Sequence, residues 1–260
     1  MTINRSIARI ATTAGLCLFV WGARAEVPAN GQAYMDAAFT SVESLIKASQ
    51  TLKPVLPRLA DPVDGKVLAD LWNAPAILGK GPYAAPDITA LLDIIQKQTR
   101  VLQIYALFTP EPGRKEPDQA ANAVEFQDEL TRSRSFLLKA VGAALPAIND
   151  FATNLKPEEK TDARIRGLRE MRVGLQEIVV GSALALRSPG LRDGNRLLLA
   201  RGFAENAAGI AAGLEQPDRQ ALVGALQAAK PNLKPDAQKA IAEFVTAFSA
   251  APCEGLCKLD

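Results

Sequence analysis

A proline followed directly by an acid recurs at Pro86-Asp87, Pro117-Asp118, Pro157-Glu158, Pro217-Asp218 and Pro235-Asp236. Proline fits the first turn of a helix, where its missing N–H has no partner to lose, and an adjacent carboxylate suits the positive end of the helix dipole. Five such starts commit most of the chain to helices. Their unequal spacing argues against a regular solenoid repeat.

Apolar residues recur at three and four through the segments that follow. Leu130, Leu137, Leu138, Val141, Leu145, Ile148 and Phe151 form one such series, and Ile165, Leu168, Leu175, Ile178, Val179 and Leu186 another. Similar stripes run from Ile88 to Tyr105 and from Leu199 to Leu214. Each marks one buried helix face, and no sustained period-two alternation competes. Helices are expected near 31–52, 87–108, 117–152, 158–187, 191–213, 218–229 and 236–249, with a short one near 65–72. The reading is all-α: an up-and-down bundle of about seven helices. Its core is 87–213, where short connections favour antiparallel neighbours, and a C-terminal helical hairpin at 217–250 caps it or packs along its side. Pro146 should kink or divide the third long helix.

The chain opens with Arg5 and Arg9, an apolar run from Ile10 to Trp21, and Ala23-Arg24-Ala25. Basic start, short apolar core and small residues at the cleavage point make 1–25 a signal peptide, too short to span a bilayer. The domain is then 26–260, with periplasmic or secreted as its address and no transmembrane anchor after cleavage. Leu16 before Cys17 argues against lipid attachment there. The formal net charge of +2 includes the three leader arginines, so the mature chain is near −1. Such a balance offers no footprint for nucleic acid.

Histidine is absent from all 260 residues. Ser-His-Asp triads, Cys-His pairs, histidine zinc sites and the Glu-x-x-His ligands of di-iron bundles are therefore excluded. No cofactor or metal site is expected. Cys253 and Cys257, in a tail spanning 251–260, are read as a disulfide in an oxidising compartment; no further thiolates or thioredoxin-like βαβ pattern support a metal or redox role. Their loop is so small that its entropic contribution is at most about 2 kcal/mol.

Two catalytic patterns that avoid histidine occur in one helix. Glu43-Ser44 resembles the Glu-Ser pair of lytic transglycosylases, but over two residues only, and that family's continuation does not follow. Ser44-Leu45-Ile46-Lys47 has Ser-x-x-Lys spacing without the companion elements of penicillin-recognising enzymes. Gly79-Lys80-Gly81 lacks the rest of a phosphate loop. Glu125 and Glu129 lie one turn apart, as ordinary surface pairs do unless their face is buried.

Binding residues are sought in two places. The Asn73–Pro86 connection, with Trp72, Ile77 and Tyr83 around its prolines and glycines, reads as a packed surface loop or a binding lip. Arg132, Arg134, Arg164, Arg166, Arg169, Arg172, Arg187, Arg192, Arg196 and Arg201 gather in the central helices. Those on the 158–187 helix fan over more than half its circumference, as on a solvated face; Arg166 and Arg169 are candidates for an anionic partner. The functional expectation is an exported, non-enzymatic protein binding a partner protein or envelope component. The alternatives are a carboxylate-dependent enzyme on cell-wall glycan, with an acid such as Glu43, and a carrier of a small anionic or lipid-like ligand.

Overall fold

The computed structural model describes residues 27–28, 30–52, 55–109 and 116–259; the leader expected at 1–25, with Cys17, lies outside the described residues. The described residues are helical with no strand, as the apolar periodicity requires. The helices are α1 (Gly31–Leu52), α2 (Asp64–Asp70), α3 (Ala74–Ile77), α4 (Ile88–Ala106), α5 (Gln119–Glu125), α6 (Gln127–Asn154), α7 (Asp162–Ala185), α8 (Asp193–Glu205), α9 (Ala207–Ala211), α10 (Gln216–Ala229) and α11 (Pro235–Ala250).

The proline-acid starts work in three ways. Pro217-Asp218 and Pro235-Asp236 lie in the first turns of α10 and α11. Asp118 instead caps α5, its side chain accepting from Ala121 N at 3.0 Å. Pro157-Glu158 opens only a 3-10 turn, and α7 starts later, with the Thr161 hydroxyl accepting from Arg164 N. Asp87 serves a tertiary purpose as well: its buried carboxylate accepts from Ala84 N and from Val27 N, fixing the approach to α1 onto the start of α4.

Two expected helices are each divided, and neither at the expected place. α5 and α6 part at Phe126, whose ring meets Tyr105 and Phe108 edge-on. The break lets Asn122 donate to the carbonyls of Ala106 and Phe108 at the otherwise unpaired end of α4. α8 and α9 part at Asn206, where Nδ2 takes the Gly202 carbonyl and the backbone N–H turns to Phe203. Pro146, by contrast, lies within an undivided α6. A proline there cannot donate to Gly142, and the freed carbonyl is met by α9: a Cβ on Gly209 would stand 2.1 Å from Gly142 O. Glycine is required at 209 for this approach.

α6 is the axis of the bundle. α7 returns antiparallel to it through a short connection. α8 and α9 run parallel to α6, from Gln127 against Arg192, through Lys139 against Glu205, to Gly142 against Gly209. α4 ends beside Phe126 at the start of α6 and lies along it. α1 runs parallel to α4, with Asp36 and Asp93 both paired to Lys97 and Glu43 paired to Arg100; α2 and α3 make the crossover. In the C-terminal hairpin α11 lies along α8 in the same direction, Lys234 near Asp193 and Phe203 against Phe244, while α10 packs on α7. The hairpin thus lies along the side of the bundle. One continuous buried cluster extends from Val27 to Leu256. Among the described residues no helix is long and apolar enough to cross a membrane.

Candidate functional site

The lip read around Asn73–Pro86 is packed. Ile77 is fully buried and belongs to the core, so it meets no partner. Trp72 and Tyr83 are half-buried, with their polar ends held internally: Trp72 Nε1 donates to Ser133 Oγ at 3.2 Å, and Tyr83 OH donates to Leu78 O at 3.0 Å. Burial, then the negative charge of Asp87, push the Tyr83 phenol above its ordinary range. Asn73 accepts from Ala76 N and caps α3, so the segment is folded into local turns rather than left open.

Beneath the neighbouring stretch at 55–72 lies a buried polar cluster. Glu129 is 1 % exposed and Glu125, one turn earlier, is exposed, so the pair does not share an environment. Arg58 joins them, pairing with the Glu125 carboxylate, lying 3.4 Å from Glu129 Oε1 and stacking 4.9 Å over the Phe126 ring. Glu129 Oε1 also accepts from Leu59 N at 2.7 Å, and Tyr105 OH donates to Pro57 O at 2.9 Å. Desolvation, and then the charge of Glu129, drive the Tyr105 hydroxyl far above its ordinary range and keep it a neutral donor. Glu129 Oε2 and Gln98 Oε1 are buried without a hydrogen-bond partner among the described residues. Ser133, one turn on from Glu129, is spent on Trp72. The cluster seats the 55–59 segment on α6.

The patterns on α1 are on the surface. The Glu43 carboxylate pairs with exposed Arg100 at 3.0 Å, and Ser44 Oγ donates to Thr40 O at 2.9 Å. Among the described residues no three carboxylates or thiols gather as metal ligands would.

The arginines separate into three kinds. Arg164, Arg192 and Arg196 pair with Glu159, Asp128 and Asp193. A second group holds the C-terminal tail. Buried Arg172 pairs with Glu215 and donates to Leu256 O at 2.9 Å, Arg169 donates to Leu259 O at 3.2 Å, and buried Arg219 reaches the carbonyls of Ala211, Leu214, Ala251 and Pro252. Asn149 Oδ1 accepts from Leu256 N at 2.7 Å, beside Gly255 at φ +54°, where a Cβ would strike Thr153 and Asn149. Cys253 and Cys257 form a disulfide within this tail. The bond closes a small loop; the arginines and Asn149 do the anchoring. Arg169 thus commits its Nε to the tail.

The third kind has no ion pair among the described residues. Arg134 is half-buried, and burial pushes it down to about 10. Arg166 is exposed on α7, and Arg187 is exposed in the turn just past the C-terminal end of α7. Between them the solvent face of α7 carries Glu170, Val173, Glu177, Val180 and Leu184, with Val173 47 % and Leu184 38 % exposed. The positions 166, 170, 173, 177, 180, 184 and 187 alternate steps of four and three, the a/d spacing of a coiled-coil seam. The core face of the same helix is elsewhere, at Leu168, Leu175, Val179 and Ala183.

A helical bundle with an unpaired heptad seam defines a class of architecture, not an activity. No protein-family model, curated protein or solved structure matches the chain.

Proposed function

We propose that this is an exported, non-enzymatic helical protein of the bacterial-type envelope space, periplasmic or secreted, which binds a protein partner through the outer face of α7. The observation that carries this reading is the heptad seam: apolar Val173, Val180 and Leu184 in line, bounded by Arg166, Glu170 and Arg187, which have no ion pairs among the described residues. A face meant only for water gains nothing from aligning three apolar side chains at that spacing, whereas a partner helix requires it. The leader at 1–25 supports the address. The internal commitments of Trp72, Tyr83, Glu43 and Ser44 weigh against the lip and against chemistry on α1.

The test places a photo-crosslinking amino acid at Val180 and, as a control, at Thr246 on the exposed side of α11, in the protein expressed in an envelope-bearing host. The expected result is an adduct from 180 that disappears when Val173→Glu and Leu184→Glu are added. Adducts from 246 alone, or degradation of purified peptidoglycan by the protein, would overturn the proposal.

A further inference from the structure

We infer that the partner on the α7 seam is a second copy of this chain, bound antiparallel. The inference rests on reading that seam as a binding face and supplies its occupant. Its argument is charge complementarity within the seam. In a parallel pair each position stacks on its own copy, bringing Glu170 onto Glu170, Glu177 onto Glu177 and Arg187 onto Arg187, so that every charged layer is repulsive. Reversing one helix changes all of them together. The register that sets Val173 against Leu184 of the second copy also sets Glu170 against Arg187 and Glu177 against Val180. Two-fold symmetry repeats each contact, so the arrangement is self-complementary and closed.

The exposures agree with that register. Val173 and Leu184 are the two large apolar residues that α7 leaves exposed, and they are the two that meet. Glu170 and Arg187 are both exposed, and neither has an ion pair among the described residues, so the contact satisfies them without breaking a bridge seen there. Gly181, on the edge of the seam, is exposed, and a Cβ there would touch nothing in its own chain within 4 Å. A side chain is missing from the flank where the second helix would pass. The seam alone falls short of the roughly 20–30 residues a side of a stable interface, which places the pair among reversible dimers.

Charge reversal and rescue test the register. By sedimentation velocity across a concentration series, the purified protein is expected to pass reversibly from monomer to dimer. Glu170→Arg or Arg187→Glu alone, each creating two like-charge contacts, is expected to weaken the dimer by about tenfold. The double exchange should return it to within about threefold of the original, with circular dichroism unchanged throughout. In a Cys17→Ser background, mixing Val173→Cys protein with Leu184→Cys protein should yield the mixed disulfide in preference to either homodimer. A Val173→Cys homodimer would mean a parallel pair, and failure of the double exchange to rescue would mean another register; either overturns the inference. A protein monomeric at every concentration, with adducts from position 180 to a different protein, would also overturn it while leaving the seam a binding face. Loss of both dimer and adducts would remove the two readings together.

Discussion

Replacing Glu129 separates the two parts its carboxylate plays. In Glu129→Ala the Leu59 N–H, now 2.7 Å from Glu129 Oε1, is left buried without an acceptor, at a cost of about 1–3 kcal/mol. One buried methylene, Cγ, is lost with the carboxylate, at about 0.8 kcal/mol. Arg58 keeps Glu125, whose exposed carboxylate contributes no more than about 1 kcal/mol, so little is recovered there. Together these make Glu129→Ala about 2–4 kcal/mol less stable, which overlaps the range for stripping one partner from a buried charge pair. Glu129→Gln keeps the volume and one acceptor for Leu59, and loses only the charge facing Arg58 at 3.4 Å; about 1–2 kcal/mol is expected. Urea unfolding followed by circular dichroism gives both values, and amide exchange at 56–59 should quicken in the alanine variant while α11 is unaffected. A Glu129→Ala protein within 1 kcal/mol of the original, or a glutamine variant as damaged as the alanine one, would refute the view that the carboxylate seats the 55–59 segment.

Gly209→Ala should destabilise by about 1–3 kcal/mol despite alanine's better helix propensity, because the new Cβ meets backbone at Gly142 that cannot step aside. The same change at Gly224, exposed within α10 with nothing within 4 Å, should stabilise by up to about 1 kcal/mol; thermal melts of the two variants check the opposite signs. Arg134→Met should stabilise by roughly 1–3 kcal/mol, since it removes a half-buried guanidinium that has no ion pair and retains an apolar stem of similar length. Its pH signature has a definite sign. The folded pKa is pushed down to about 10 from the ordinary guanidinium range, so the charged form is penalised at all lower pH and the penalty fades as pH rises from there. The gap between original and variant should narrow above pH 10 in denaturant melts; a gap that widens or stays constant would contradict the assignment.

The fold was legible where a helix buries one face. α1, α4, α10 and α11 begin and end close to their stripes, and the connections between 87 and 213 led to alternating neighbours as their lengths implied. α6 was harder, for a physical reason. As the central helix it is buried around most of its circumference, and several of the positions hidden there are polar: Gln127, Glu129, Thr131, Ser133 and Ser135. Hydrophobic periodicity registers only the leucine side of such a helix, so Glu129 looked like half of a surface pair. Arg172 could have been found. It falls on the core stripe with Leu168, Leu175 and Val179, and a charge on a buried stripe calls for a buried partner, here Glu215 and the tail carbonyls. Arg219 gave no such sign, because its four carbonyl acceptors come from parts of the chain brought together only by the fold.

α7 bears two stripes of similar spacing, and periodicity cannot rank them. One, through Leu168, Leu175, Val179 and Leu186, is apolar except for Arg172 and faces α6. The other mixes Val173, Val180 and Leu184 with Arg166, Glu170, Glu177 and Arg187. As a core face it would strand four charges, each costing several kcal/mol. As a merely solvated face it would have no use for alignment. Apolar centres at a/d spacing flanked by charges of both signs suit a contact that forms and releases, since each side must also stand in water alone. That condition makes the order of the charges informative: with Glu170 and Arg187 flanking Val173 and Leu184, the antiparallel register sets opposite signs together where the in-register parallel pair sets like on like.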